Sequence, residues 1–131
     1  MGDKTWKRVE REACRELGGE RRGPTGRDLP DCDDAVKVGL EIKAYKRLVV
    51  LTKDWQQAVE NAEQLGLIPV LYVREGGRNG RDVVQLYSAH WLLLDQGIDP
   101  TGLKVEAGPT TRISWAEFVL LYHYTFRKEI A

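Results

Sequence analysis

The stretch "LIPVLYV", residues 67–73, constrains the fold of this chain more than any other segment. A strand with one solvated face alternates apolar and polar residues, whereas a near-continuous apolar run belongs to a strand covered on both faces. Layers must therefore lie on either side of it. One layer is written just upstream. Asp54-Trp55-Gln56-Gln57 reads as a capped helix start with glutamine as the capping partner; apolar Trp55, Ala58, Val59, Ala62 and Leu65 follow, and Gly66 closes the helix. Strand character from about Cys32 to Ala44, interrupted near Lys37 by a bend or hairpin, precedes that helix. Strand, helix and strand in succession predict a right-handed parallel crossover.

The rest of the chain is arranged around this unit. Residues 4–17 read as a helix with Trp6, Val9, Ala13 and Leu17 on one stripe, ended by Gly18-Gly19; a Gly-, Arg- and Pro-rich loop follows over 18–30. Residues 48–52 fit either a strand or a turn. "EGGRNGR", 75–81, turns the chain into a strand at Asp82–Tyr87, with a short helix over 88–96 and a loop-like stretch over 97–113. Ser114-Trp115-Ala116-Glu117 is a capping box that opens a last helix. Its Trp115, Phe118, Val119, Tyr122 and Phe126 form a core stripe, with a homodimer contact as the alternative use.

At 131 residues the chain supports one domain spanning 1–131, with a core over about 5–87 and a helical extension over about 88–131. No apolar run approaches the ~20 residues that a membrane span needs, so no membrane partner is expected. The charged first residues lack the apolar segment of a secretory signal, which predicts a cytoplasmic protein. Cys14 and Cys32 are then expected as free thiols. Two cysteines and two histidines without paired spacing argue against zinc, and His90 and His123, in aromatic-rich helices, are expected to pack or lie at the surface.

Within the first strand region, Val38-Gly39-Leu40-Glu41-Ile42-Lys43-Ala44 carries a glutamate and a lysine two residues apart. Side chains at that spacing share a face, so Glu41 and Lys43 are presented together while Leu40, Ile42 and Ala44 fill the other side. A bend near Lys37 returns Asp31 to the neighbourhood of Glu41. Two carboxylates held close repel, and a hard divalent ion resolves the conflict: magnesium commonly sits on one or two carboxylates plus phosphate oxygens. The Ile42 carbonyl is a further candidate ligand. Lys43 beside such an ion could hold a water and counter charge on a phosphate. Glu10 lies at the margin of the first helix's apolar stripe, where it could reach the same site, whereas Glu12 and Glu16 read as solvated. Asp28, Asp33 and Asp34 flank Asp31, and Asp33 is the reserve choice for the first ligand. Net charge is zero, yet residues 1–27 hold more basic than acidic side chains. Arg21, Arg22, Arg27, Lys46 and Arg47 flank the acids as candidate phosphate contacts.

Pro30-Asp31 followed by Glu41-Ile42-Lys43, with Glu10 on a preceding helix and a helix and strand after, resembles the PD-(D/E)XK nuclease superfamily. Within it, the pattern is similar to archaeal Holliday-junction resolvase-like and small phage-type nucleases. The resemblance covers about residues 5–75. It implies an α/β, restriction-endonuclease-like core (αβββαβ, a mixed central sheet flanked by helices) with extra C-terminal helices. It also implies magnesium-dependent endonuclease cleavage of DNA, with manganese as a substitute ion and branched DNA as the substrate. Asp31 and Glu41 become metal ligands, Lys43 the catalytic lysine, Glu10 the helix acid, and Gln57 the match to a glutamine that some relatives place near the site. Junction-resolving relatives act as dimers, which makes a homodimer one candidate assembly and leaves the oligomeric state open. The alternatives are a non-catalytic DNA-binding or assembly protein on the same scaffold, and a nuclease for single strands or flaps.

Overall fold

The computed structural model describes residues 2–23, 28–76 and 80–127, with side chains from residue 6 onward. Among these residues eight elements follow one another: α1 (Gly2–Glu16), β1 (Gly39–Tyr45), α2 (Thr52–Gln64), β2 (Pro69–Glu75), β3 (Asp82–Tyr87), α3 (Ser88–Asp95), β4 (Thr110–Ile113) and α4 (Trp115–Phe126). The strands form one mixed sheet in the order β1-β2-β3-β4, with β1 parallel to β2 and the remaining pairs antiparallel. No helix among the described residues is long and apolar enough to cross a membrane.

The apolar run does what its composition demands. Val70, Leu71, Tyr72 and Val73 of β2 are all buried, alternating between two apolar layers. Even-numbered residues of the sheet, Leu40, Ile42, Val70, Tyr72, Val84 and Leu86, pack with α1, α3 and α4. Leu71 and Val73 pack on the opposite side with Ala58 of α2. Burying each such side chain contributes about 1.5–3 kcal/mol, so these two layers dominate the folding energy. The C-terminal stripe is core: Phe118 and Tyr122 are fully buried, and Trp115 stacks on Tyr72 with ring centroids 4.3 Å apart. Ser114 caps α4 as expected, accepting from the Glu117 amide at 3.1 Å. α1 ends in a left-handed residue, Gly18 (φ 87), with the Gly19 amide bonded to the Cys14 carbonyl at 2.9 Å and the Gly18 amide to that of Arg15 at 3.0 Å.

Several expectations need correction. The αβββαβ order requires three strands before the second helix, and among the described residues only β1 forms there. Asp33 explains the loss: its carboxylate accepts from the amides of Glu20 and Ala35, both at 3.2 Å, which holds residues 33–36 in a turn and away from a ladder. Across the expected bend the Asp31 amide still bonds the Leu40 carbonyl, while Cys32 makes an isolated bridge to Arg21, which lies outside that hairpin. Conversely, β4 forms inside a stretch expected as loop, because its four residues are too few and too polar to show a period. Asp54 does not cap α2. The helix starts earlier, with Leu51 at the cap position and no side-chain cap, so Gln57 is no capping partner. Asp54 is buried in the first turn, where its carboxylate accepts from the Tyr45 hydroxyl. Finally, Cys14 and Cys32 are not free: they form a disulfide across 18 residues, with Cα atoms 5.4 Å apart.

Candidate active site

The free edge of β1 organises the acids. In a parallel ladder the N–H and C=O of one residue point to the same side and alternate along the strand. The Gly39 amide bonds Ile68 toward β2 at 2.8 Å, so the even-numbered residues of β1 turn their backbone groups outward. Asp31 fills that edge twice. Its amide donates to the Leu40 carbonyl at 2.9 Å, and its carboxylate accepts from the Ile42 amide at 2.7 Å, in the place a ladder carbonyl would take. The same parity turns the Ile42 carbonyl to this edge.

Glu41 projects to the α2 side and is buried at 4% exposure, as is Glu10 on α1. Asn61 of α2 donates to one Glu41 oxygen at 3.0 Å, and the Lys43 ammonium lies 3.6 Å from the other. This approach depends on Gly39: a Cβ there would come within 2.4 Å of the Ala62 Cβ and 2.9 Å of its Cα. Because Gly39 has no side chain, α2 lies directly on β1 and carries Asn61 to Glu41. The Arg21 guanidinium meets Glu10 at 3.3 Å.

These groups feel one another. Burial first, and then the charge of Glu41, push the Asp31 carboxyl up to about 8; Glu10 adds to the rise, while the Ile42 amide and Lys43 oppose it. Burial likewise raises Glu41, against the pull of Asn61 and Lys43, with Glu10 adding to the rise. Asp31, Glu41, Glu10 and Lys43 are thus one electrostatic cluster with an excess of acid.

Among the described residues no three His, Cys, Asp or Glu side chains are placed to hold a metal ion together. The donor set here is of another kind, two carboxylates (Asp31 and Glu41) and an outward carbonyl (Ile42), all hard oxygens. That set fits magnesium in its open mode, where water and phosphate oxygens complete the shell.

Other candidates are placed differently. Asp33 holds its turn, and Asp34 is exposed, paired with Arg22 at 3.1 Å. Arg22 is not available as a free phosphate contact, because its guanidinium also donates to the carbonyls of Pro30 (3.1 Å) and Cys32 (2.8 Å) and so ties the loop together. Lys46 and Arg47 are exposed just after β1. Arg27 lies outside the described residues. Glu16 is not simply solvated, since it accepts from the Trp115 indole at 2.9 Å. His90 is buried against Tyr87, and His123 contacts the Glu16 carbonyl at 2.7 Å, both in packing roles.

Asn61, rather than Gln57 one turn before it, is the α2 amide that reaches the acids. Its signal in the sequence was a polar residue between Ala58 and Ala62 on the face that the small residues mark as closely packed. Comparison with family models, curated proteins and solved structures finds no match for the chain, so its functional reading rests on this cluster.

Proposed function

We propose that this chain is a magnesium-dependent DNA endonuclease of the PD-(D/E)XK type, built on a reduced restriction-endonuclease-like core and selective for branched DNA. The observation that supports it most is geometric: at the free edge of β1 the Asp31 carboxylate sits on the amide of Ile42, the residue between Glu41 and Lys43, and the Lys43 ammonium lies 3.6 Å from Glu41. Asp31, Glu41 and the Ile42 carbonyl would hold the ion, which supplies Lewis-acid polarisation of the phosphate. The chain's own residues prepare the site around it. The Ile42 amide fixes the Asp31 carboxylate, Asn61 fixes one oxygen of Glu41, and Arg21 offsets the charge of Glu10. Lys43, with its side chain only 20% exposed, keeps an ammonium where charge develops on a scissile phosphodiester. Exposed Lys46 and Arg47 extend the positive surface beyond the strand, giving an affinity that falls as salt rises.

Incubation of labelled four-way junction, flap, duplex and single-stranded DNA, each with magnesium and with chelator, tests this reading. The expected result is ion-dependent cutting, strongest on the junction. Lys43→Ala should abolish it while leaving DNA affinity within about a few fold, since one phosphate contact is a small share of the whole. Cutting that survives Lys43→Ala refutes the assignment. A non-catalytic binding protein is the second reading, favoured by the engagement of Glu41 with Asn61 and Lys43 inside the protein. Magnesium titration separates the two, because the nuclease requires ion binding that disappears in Glu41→Ala.

A further inference from the structure

The disulfide lies at the base of the acid cluster. Cys14 follows Glu10 by four residues, one helical turn along the same face of α1, and Cys32 is the residue after Asp31. The bond therefore joins the turn of α1 that follows Glu10 to the segment that presents Asp31. Apart from it, residues 31–33 are held mainly through the neighbouring loop and the strand edge. The Arg22 amide bonds the Asp31 carbonyl at 2.7 Å, the Asp33 amide bonds the Glu20 carbonyl at 2.8 Å, and the Asp31 amide bonds Leu40 at 2.9 Å. None of these lies in a continuous ladder, and residues 28–38 contain no regular element. Val36 and Val38 also anchor this segment in the layer that α1 shares, whereas the layer on the other side of the sheet, Ala58, Leu71 and Val73, contains no residue of α1 or of 28–38.

We propose that the Cys14–Cys32 disulfide is a redox gate on the acid cluster: oxidised, it holds Asp31 against the edge of β1; reduced, it releases the segment while the sheet stays folded. In the reducing step a dithiol passes two electrons and two protons to the bond. Cys14 and Cys32 become thiols and the reductant closes into its own disulfide. Both sulfurs are buried, at 0% and 2% exposure for their residues, so reduction proceeds through local opening of residues 28–38 and is slow compared with that of an exposed bond. The release itself does not depend on the nuclease reading. That the gate governs ion binding does rest on it.

Residue-resolved amide hydrogen exchange on the whole chain, oxidised and after treatment with dithiothreitol, separates the two. The Ile42 amide, which donates to the Asp31 carboxylate, and the Asp31 amide report the gate without any ion. Reduction should speed exchange at both by at least about tenfold, while amides of β2 change less than about twofold and reoxidation restores the slow rates. A Cys14→Ala/Cys32→Ala chain should exchange like the reduced protein whether or not dithiothreitol is present. Unchanged exchange at Ile42 on reduction overturns the gate. So does loss of protection throughout β2, which would make the bond a general stabiliser, and so does titration of two free thiols in the oxidised preparation. Magnesium titration is the second arm, expected to weaken at least about tenfold on reduction. Faster exchange at Ile42 with no magnesium binding in either state would leave the gate standing and remove the ion-binding reading.

Discussion

Asp31 makes the ion-free protein sensitive to pH in a direction opposite to that of an ordinary ion-paired acid. Its carboxyl is raised from 3.8 to about 8, so between those values the folded chain keeps a proton that the unfolded chain has lost. The stabilisation from this group is complete below about pH 4, falls steadily as pH rises, and is exhausted near pH 8. Buried Glu41, raised for the same reason, acts in the same sense. Each pKa unit is worth about 1.4 kcal/mol, which gives roughly 4 kcal/mol between about pH 5 and pH 8. Asp31 is partly exposed, and screening by solvent reduces that to about 2 kcal/mol. For a chain of this size the loss lowers Tm by about 6–10 °C. Calorimetric scans in chelator at about pH 5, 6, 7 and 8 measure it, at fixed ionic strength, for the wild type and for Asp31→Asn. The asparagine keeps an acceptor for the Ile42 amide but cannot ionise, so its fall should be less than about half as large. Magnesium binds the ionised form, and its stabilisation should therefore grow with pH and be greatest near pH 8. A wild-type Tm that is flat across the range in chelator, or that falls equally in Asp31→Asn, refutes the reasoning.

Two further substitutions test how the site is held. Asn61→Leu leaves one oxygen of buried Glu41 without its donor, which should cost about 1–3 kcal/mol in denaturant unfolding near neutral pH and weaken magnesium binding by roughly tenfold. Gly39→Ala drives a methyl group into Ala62 and should cost about 1–3 kcal/mol. Ala62→Gly removes the contact with the Ala62 Cβ but not that with its Cα, so the pair should be less destabilised than the sum of the two single changes; strict additivity in the double-mutant cycle would show that this close approach is not what sets the distance between α2 and β1.

The parts of this molecule legible in its sequence are those set by local period. "LIPVLYV" announced a strand buried on both faces, and the alternation over 40–44 put Glu41 and Lys43 on one side and Leu40, Ile42 and Ala44 on the other, as β1 presents them. The bend that returns Asp31 to β1 was legible too. Its structure was not, because Asp33 replaces ladder bonds with local ones, and such competition leaves no periodic trace. The Cys14–Cys32 bond was invisible for a different reason: neither spacing nor composition brings α1 against residues 30–33, and only the packed chain does. Asn61 belongs to the same class, since its importance comes from standing opposite Glu41 on another element. The acids and their ammonium could thus be named from one strand and one bend, while everything that holds them in place comes from contacts distant in sequence. It follows that substitutions at Asn61, Gly39 or the cysteines should disturb the cluster as surely as changes to the acids themselves, although no local pattern marks these positions as part of a site.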